Sequence, residues 1–257
     1  MKPFLFEVCA ESVEAAQAAE SGGADRIELC SQLPIGGITP EIDLTAAAIR
    51  GVSIPVNVLI RPRGGDFDYS AEEFNLLKRQ IVQAKQAGAA GVAVGVMLPH
   101  GRVDVKRTRE LVTLGRPMSV IFNRAFDTAS DLNEALAAVI ETGADCLLTS
   151  GGAPDVLAGA DSIARLCRQA GSRLDIMAGG GLQLSNLVEV VRLTGVRHLH
   201  GSLNRKSSGN GKTNHDSASN GYPAANALAA LECDVRESVR LLEREFKTSE
   251  SLGRIVS

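Results

Sequence analysis

The chain has 257 residues, with 27 basic and 30 acidic side chains and a formal net charge of −3. Apolar residues make up 44% and charged residues 22%, which suits a folded globular chain and excludes a disordered one. The acidic balance and the 4% aromatic content argue against nucleic acid as a main partner. No run approaches the ~20 apolar residues of a membrane span. Glu7 interrupts the N-terminal apolar run too early for a secretory signal. Five Cys are an odd number and no disulfide framework, so reduced thiols in the cytoplasm are expected.

One pattern recurs along the chain. An apolar-periodic helix ends in Gly, and a short run rich in Val, Ile and Leu follows, as in residues 15–30, 83–96, 135–150 and 189–202. Gly supplies the left-handed cap, and the apolar run reads as a buried parallel strand. In chain order the predicted strands are Phe4–Cys9, Arg26–Cys30, Pro55–Arg61, Gly91–Val96, Ser119–Arg124, Cys146–Ser150, Leu174–Ala178 and Arg197–Ser202. Eight β/α units in this length predict an α/β fold, a (β/α)8 TIM-type barrel, with residues 1–257 as a single domain. An open doubly wound sheet is disfavoured because no G-x-G-x-x-G follows the first strand. Residues 204–226 are rich in Asn, Ser and Gly and read as a mobile polar loop. A final helix is expected at about Asp234–Phe246.

In such a barrel the chemistry gathers where strands end at their carboxyl side. The first two strands share a frame, apolar-Glu-apolar-Cys-small, in FEVCA (6–10) and IELCS (27–31). Alternation puts Glu7 with Cys9 on one face of the first strand and Glu28 with Cys30 on one face of the second, so on neighbouring strands the two thiols are expected to meet near the barrel mouth. Two adjacent thiolates suit Cu(I), or Zn(II) with further ligands; buried Cys as plain packing is the alternative. Cys146, Cys167 and Cys233 read as structural.

Glu7, Glu28, Asp127 and His200 are the candidate acid–base groups. Arg61, Arg63, Asp66, Asn123 and Arg124 are candidate binders of a small anionic ligand. Crossed Glu–Arg pairs over the barrel mouth would neutralise Glu7 and Glu28, as an ion network or as a polar pocket. Gly179, Gly180 and Gly181, with Ser202 after the eighth strand, match the position where barrels bind phosphate. His198 and His200 share a face, whereas His100 and His215 fall in loops. No Lys stands at a strand end, which argues against a Schiff-base aldolase. Pairing of barrels through their outer helices into a homo-oligomer is a further expectation.

The segments EVCAES, GGADRIELCS, GGITP, IRPRGGDFDYS, NRAFD, LTSGG, MAGGG and HLHGS occur in the order found in the CutC family of copper homeostasis proteins, which the chain resembles from about residue 5 to 202. The resemblance implies a (β/α)8 barrel, a cytosolic location and a role in copper trafficking or tolerance. It also implies Cys9 and Cys30 as Cu(I) ligands. Where the family motif usually reads H-R-A-F-D, this chain has Asn123, an amide that neither titrates nor suits soft metals. A role for Asn123 as a hydrogen-bond donor is the surviving expectation. A TIM-barrel enzyme for an anionic or phosphorylated metabolite is the alternative to copper handling.

Overall fold

A computed structural model describes residues 2–203 and 225–251; the predicted loop at 204–226 lies almost wholly outside the described residues, as does His215. The barrel strands are β1 (Leu5–Ala10), β2 (Arg26–Leu29), β3 (Val56–Leu59), β4 (Gly91–Val94), β5 (Ser119–Phe122), β6 (Cys146–Thr149), β7 (Asp175–Gly179) and β8 (His198–Gly201). They pair in parallel and in order, and β1 closes the ring by pairing with both β2 and β8. The alternating helices are α1 (Val13–Gly22), α2 (Ile42–Gly51), α3 (Ala71–Ala87), α4 (Val105–Gly115), α5 (Leu132–Thr142), α6 (Ala160–Ala170), α7 (Leu187–Thr194) and α8 (Ala225–Ser251). This is the expected (β/α)8 barrel.

Local chemistry explains the helix ends. The Ser12 hydroxyl accepts from the Ala15 amide at the start of α1, and Ser70 and Glu73 form a reciprocal capping box on α3. Helices α1, α3, α5 and α7 end on Gly23, Gly88, Gly143 and Gly195, all left-handed. The observed strands stop short of several predicted ends, because Ile60–Arg61 already belong to a loop and Asn123 caps a 3-10 turn that Arg124 opens. A small antiparallel hairpin, Met97–Leu98 with Arg102–Val103, was not expected, and exposed His100 forms its turn. The last helix runs well beyond the expected Asp234–Phe246.

Strand alternation splits the apolar side chains into two clusters. Phe6, Val8, Ile27, Val58, Val92, Phe122, Leu147 and Leu199 face the helices and form the larger one. Cys9, Cys30, Leu59, Ala93, Ile121, Cys146, Leu148 and Met177 point inward and fill the barrel. Helix α8 closes against α1 so tightly that a Cβ on Gly22 would sit 2.6 Å from Val235 Cβ. At the same seam the rings of Phe4 and Phe246 stack 5.4 Å apart. Among the described residues no helix is long and apolar enough to cross a membrane.

Candidate metal centre at the barrel mouth

The register of β1, β2 and β8 decides what meets inside the barrel. Glu7 lies beside Arg26 on one flank and His200 on the other, while Cys9 lies beside Glu28. Since Arg26, Glu28 and Cys30 alternate along β2, all three point inward. The result is a buried polar column. Glu7 is completely buried, and its Oε2 accepts from Arg26 Nε at 2.5 Å and from Asn57 Nδ2 at 3.0 Å. Its Oε1 lies 2.8 Å from His200 Nδ1. A carboxylate can only accept, so Nδ1 carries the proton and donates.

Burial alone would raise the Glu7 pKa. The positive Arg26 and the His200 hydrogen bond outweigh it and hold the group at about 2. Glu28 moves the other way: burial, with the negative Glu7 nearby, raises it above the usual carboxylate range despite His200 and Arg26. Burial pulls His200 down, but Glu28 and Glu7 more than compensate, and its pKa is raised. The two inward carboxylates are therefore inequivalent, one with its pKa lowered and one with its pKa raised.

Above this column sit the two thiols, with Cys9 Sγ and Cys30 Sγ 3.3 Å apart. Their mutual hydrogen bond and burial push the Cys9 thiol well above its ordinary pKa, so a metal must displace a proton to bind. A Cys9 sulfur, a Glu28 oxygen and a His200 ring nitrogen all lie within 4.8 Å of one another. Thiolate and imidazole donors suit Cu(I) and Zn(II), so the residues present fit a soft or borderline ion.

Cys30 is fully buried beneath the segment after β2. A Cβ on Gly37 would meet Cys30 Sγ at 3.7 Å and Leu59 Cδ2 at 2.7 Å, so only a glycine lets the backbone lie this close. Leu33 packs on the inner cluster from the same segment. Arg61 holds the segment in place: Nη1 donates to the carbonyls of Ile35 (3.2 Å) and Gly37 (3.0 Å), and Nη2 donates to Gly65 (2.7 Å). The Arg63 guanidinium donates to the side chains of Glu73, in the first turn of α3, and Asp66, and to the Asp68 carbonyl. The expected crossed pairs are thus corrected. The cation beside Glu7 is Arg26, and neither Arg61 nor Arg63 reaches Glu7 or Glu28, because nearby carbonyls and acids occupy them.

The other side of the mouth is a separate network. Asp127 Oδ1 accepts from Thr149 Oγ1 at 2.5 Å, the Ser150 amide at 3.0 Å and the Gly152 amide at 3.1 Å. Its Oδ2 accepts from Arg124 Nε at 2.8 Å and Ser150 Oγ at 3.0 Å. The carboxylate is occupied in shaping the turn after β6. Asn123 Oδ1 accepts from the Ala125 amide at 2.9 Å, capping a 3-10 turn, so its observed role is acceptor rather than donor. Each glycine of 179–181 has a packing reason. A Cβ would strike Leu148 from Gly179 at 2.7 Å, the Arg124 guanidinium from Gly180 at 2.8 Å and Asp155 from Gly181 at 2.9 Å. Ser202 lies half-buried just past β8.

Cys146 is buried inside the barrel, where burial raises its pKa, and Cys167 is half-buried. Cys233 is exposed on α8, against the expectation that it is structural. Sequence reading passed over Arg26 and Asn57. The signal was present in both: a charged or amide side chain at an inward position of a strand.

Comparison with known proteins covers most of this architecture. The model of the CutC family matches residues 4–205. A CutC family protein of Caulobacter vibrioides is 43% identical over 199 residues, covering 77% of this chain and 81% of that protein. A human protein named copper homeostasis protein cutC homolog is 43% identical over 197 residues, covering 77% and 72%. The crystal structure of a CutC protein of Streptococcus agalactiae superposes with a TM-score of 0.73 at 27% identity, covering 77% of this chain and 98% of that one. With a family match over most of its length and relatives above 40% identity, the chain belongs to the CutC family.

Proposed function

We propose that the chain is a cytoplasmic copper-homeostasis protein, a single barrel domain that binds Cu(I) through Cys9 and Cys30 and serves copper trafficking or tolerance. The observation that carries this reading is the pair of sulfurs 3.3 Å apart at the carboxyl ends of adjacent strands. Soft thiolates select Cu(I) over the harder ions that carboxylates favour. The name of the human relative supports the same reading. The barrel supplies a scaffold in which two strands hold the donors at a fixed separation.

The test is an anaerobic Cu(I) titration against a chromophoric competitor. Wild type is expected to take up one tight equivalent, and the Cys9→Ser/Cys30→Ser variant none. Equal uptake by both would reduce the thiols to packing groups and overturn the reading.

A second reading, a binding site for a small anion, is favoured by one observation. Arg124 lies across the mouth with its guanidinium flat over Gly180, and its Nη1 has no hydrogen-bond partner among the described residues. Inorganic phosphate is expected to raise the Tm of wild type and to leave that of Arg124→Gln unchanged. No shift in wild type removes this reading.

A further inference from the structure

Two thiolates do not complete the site. With a metal–thiolate bond of about 2.3 Å, sulfurs placed in line on one ion stand about 4.6 Å apart, and in a three-coordinate plane about 4.0 Å. The observed separation is 3.3 Å. Cys9 and Cys30 stand on strands joined by a parallel ladder inside a closed ring, so spreading them is resisted by the neighbouring pairs. The bent arrangement needs the smaller movement, and it leaves one position on the ion for a third donor.

Two groups stand near Cys9, Glu28 and His200, each within 4.8 Å of Cys9 Sγ, while Cys30 lies outside that group, so an ion held by both thiols must draw the third donor and Cys30 together. Imidazole suits a soft ion and carboxylate does not. His200 is also held as a ligand should be. Its Nδ1 donates to Glu7, which leaves Nε2, 3.7 Å from Glu28 Oε2, as the ring nitrogen open to a metal that displaces its proton. Glu7 is fixed in turn by Arg26 and Asn57. A carboxylate that orients a histidine through its far nitrogen is the usual support behind a metal-ligating imidazole. Gly179 keeps the space: it pairs with His200 in register, and a Cβ there would come within 3.1 Å of His200 Cβ.

We propose that His200 Nε2 is the third ligand of the Cys9–Cys30 site, making it a bent two-sulfur, one-nitrogen centre for a soft cation, with Glu7 as the positioning residue. This rests on the copper-binding reading above and goes beyond it by naming the donor that sets the coordination geometry. The buried Arg26–Glu7–His200 chain, which a two-cysteine carrier does not need, then has a purpose.

The experiment uses the full chain loaded with one equivalent of Cu(I). X-ray absorption at the copper edge is expected to fit two sulfurs and one nitrogen in wild type. His200→Gln is expected to weaken binding at least tenfold and to lose the nitrogen scatterer. A two-sulfur shell in wild type overturns the proposal, and this readout needs no variant to fold. Unchanged affinity in a folded His200→Gln, with binding still lost in Cys9→Ser/Cys30→Ser, overturns the third ligand and leaves the two-thiolate reading standing. Loss of the third scatterer in Glu28→Gln and not in His200→Gln assigns the position to Glu28 and overturns it as well. No Cu(I) uptake by wild type overturns both.

Discussion

Glu7→Ala is expected to lower the free energy of unfolding by about 3–5 kcal/mol, the usual effect of removing one partner from a buried ion pair. The variant leaves Arg26 inside the barrel with no carboxylate bonded to it and strips His200 Nδ1 and Asn57 Nδ2 of their acceptor. Glu7→Gln keeps the shape and one acceptor oxygen, so it should cost less. The same residue sets an acid dependence. Its folded pKa of about 2 lies below the ordinary value of 4.5, so its ionised form stabilises the fold. That stabilisation is complete above the ordinary value and is lost as pH falls through about 2, with a size on the order of 3 kcal/mol. Urea denaturation between pH 6 and 3 checks both statements. Wild type should lose stability across this window, and Glu7→Gln should lose less of it. A Glu7→Ala cost below about 1 kcal/mol would show that the column is solvated and not an isolated pair.

Asp127→Ala should cost about 3 kcal/mol, and for a different reason. Here the carboxylate is the shared acceptor of two backbone amides, two hydroxyls and a guanidinium. Hydrogen bonds to a charged group contribute about 1.5–3 kcal/mol each, but they share one ion and do not add fully. Truncation leaves the Ser150 and Gly152 amides without their acceptor and releases Arg124 from its Nε contact. Asp127→Asn retains one oxygen and should fall between. Chemical denaturation ranks the three proteins, and equal stability of Asp127→Ala and wild type would contradict the bonding seen at the turn.

Much of the barrel was legible before any coordinates. The alternation of apolar helices, terminal glycines and short β-branched runs marks eight units, and strand parity alone places Glu7 with Cys9 and Glu28 with Cys30. What parity cannot show is stagger between strands, and stagger decides that Glu7 meets Arg26 and His200 while Cys9 meets Glu28. Applied one step further back, the same parity would have marked Arg26 as inward-facing. Asn57 was equally visible as the polar residue in VNVL. Arg61 and Arg63 were misjudged because backbone carbonyls leave no trace in a sequence. Three carbonyls of folded loops take up the Arg61 guanidinium, and no residue pattern announces them.

The segment over Cys30 has a consequence for timing. It is tied by the Ser31–Ile38 bridge, by Arg61 and by Glu11, which accepts from the Leu33 amide at 2.8 Å. If the way in to buried Cys30 leads past this segment, then a metal, oxidant or alkylating agent enters as often as the segment lifts. Uptake then runs at a first-order rate that levels off as the incoming reagent becomes abundant, and release is slowed by the same barrier. A Cu(I) ion bound as proposed above would then be held by slow exchange as much as by affinity, and small thiols in solution would compete poorly for an ion they cannot reach.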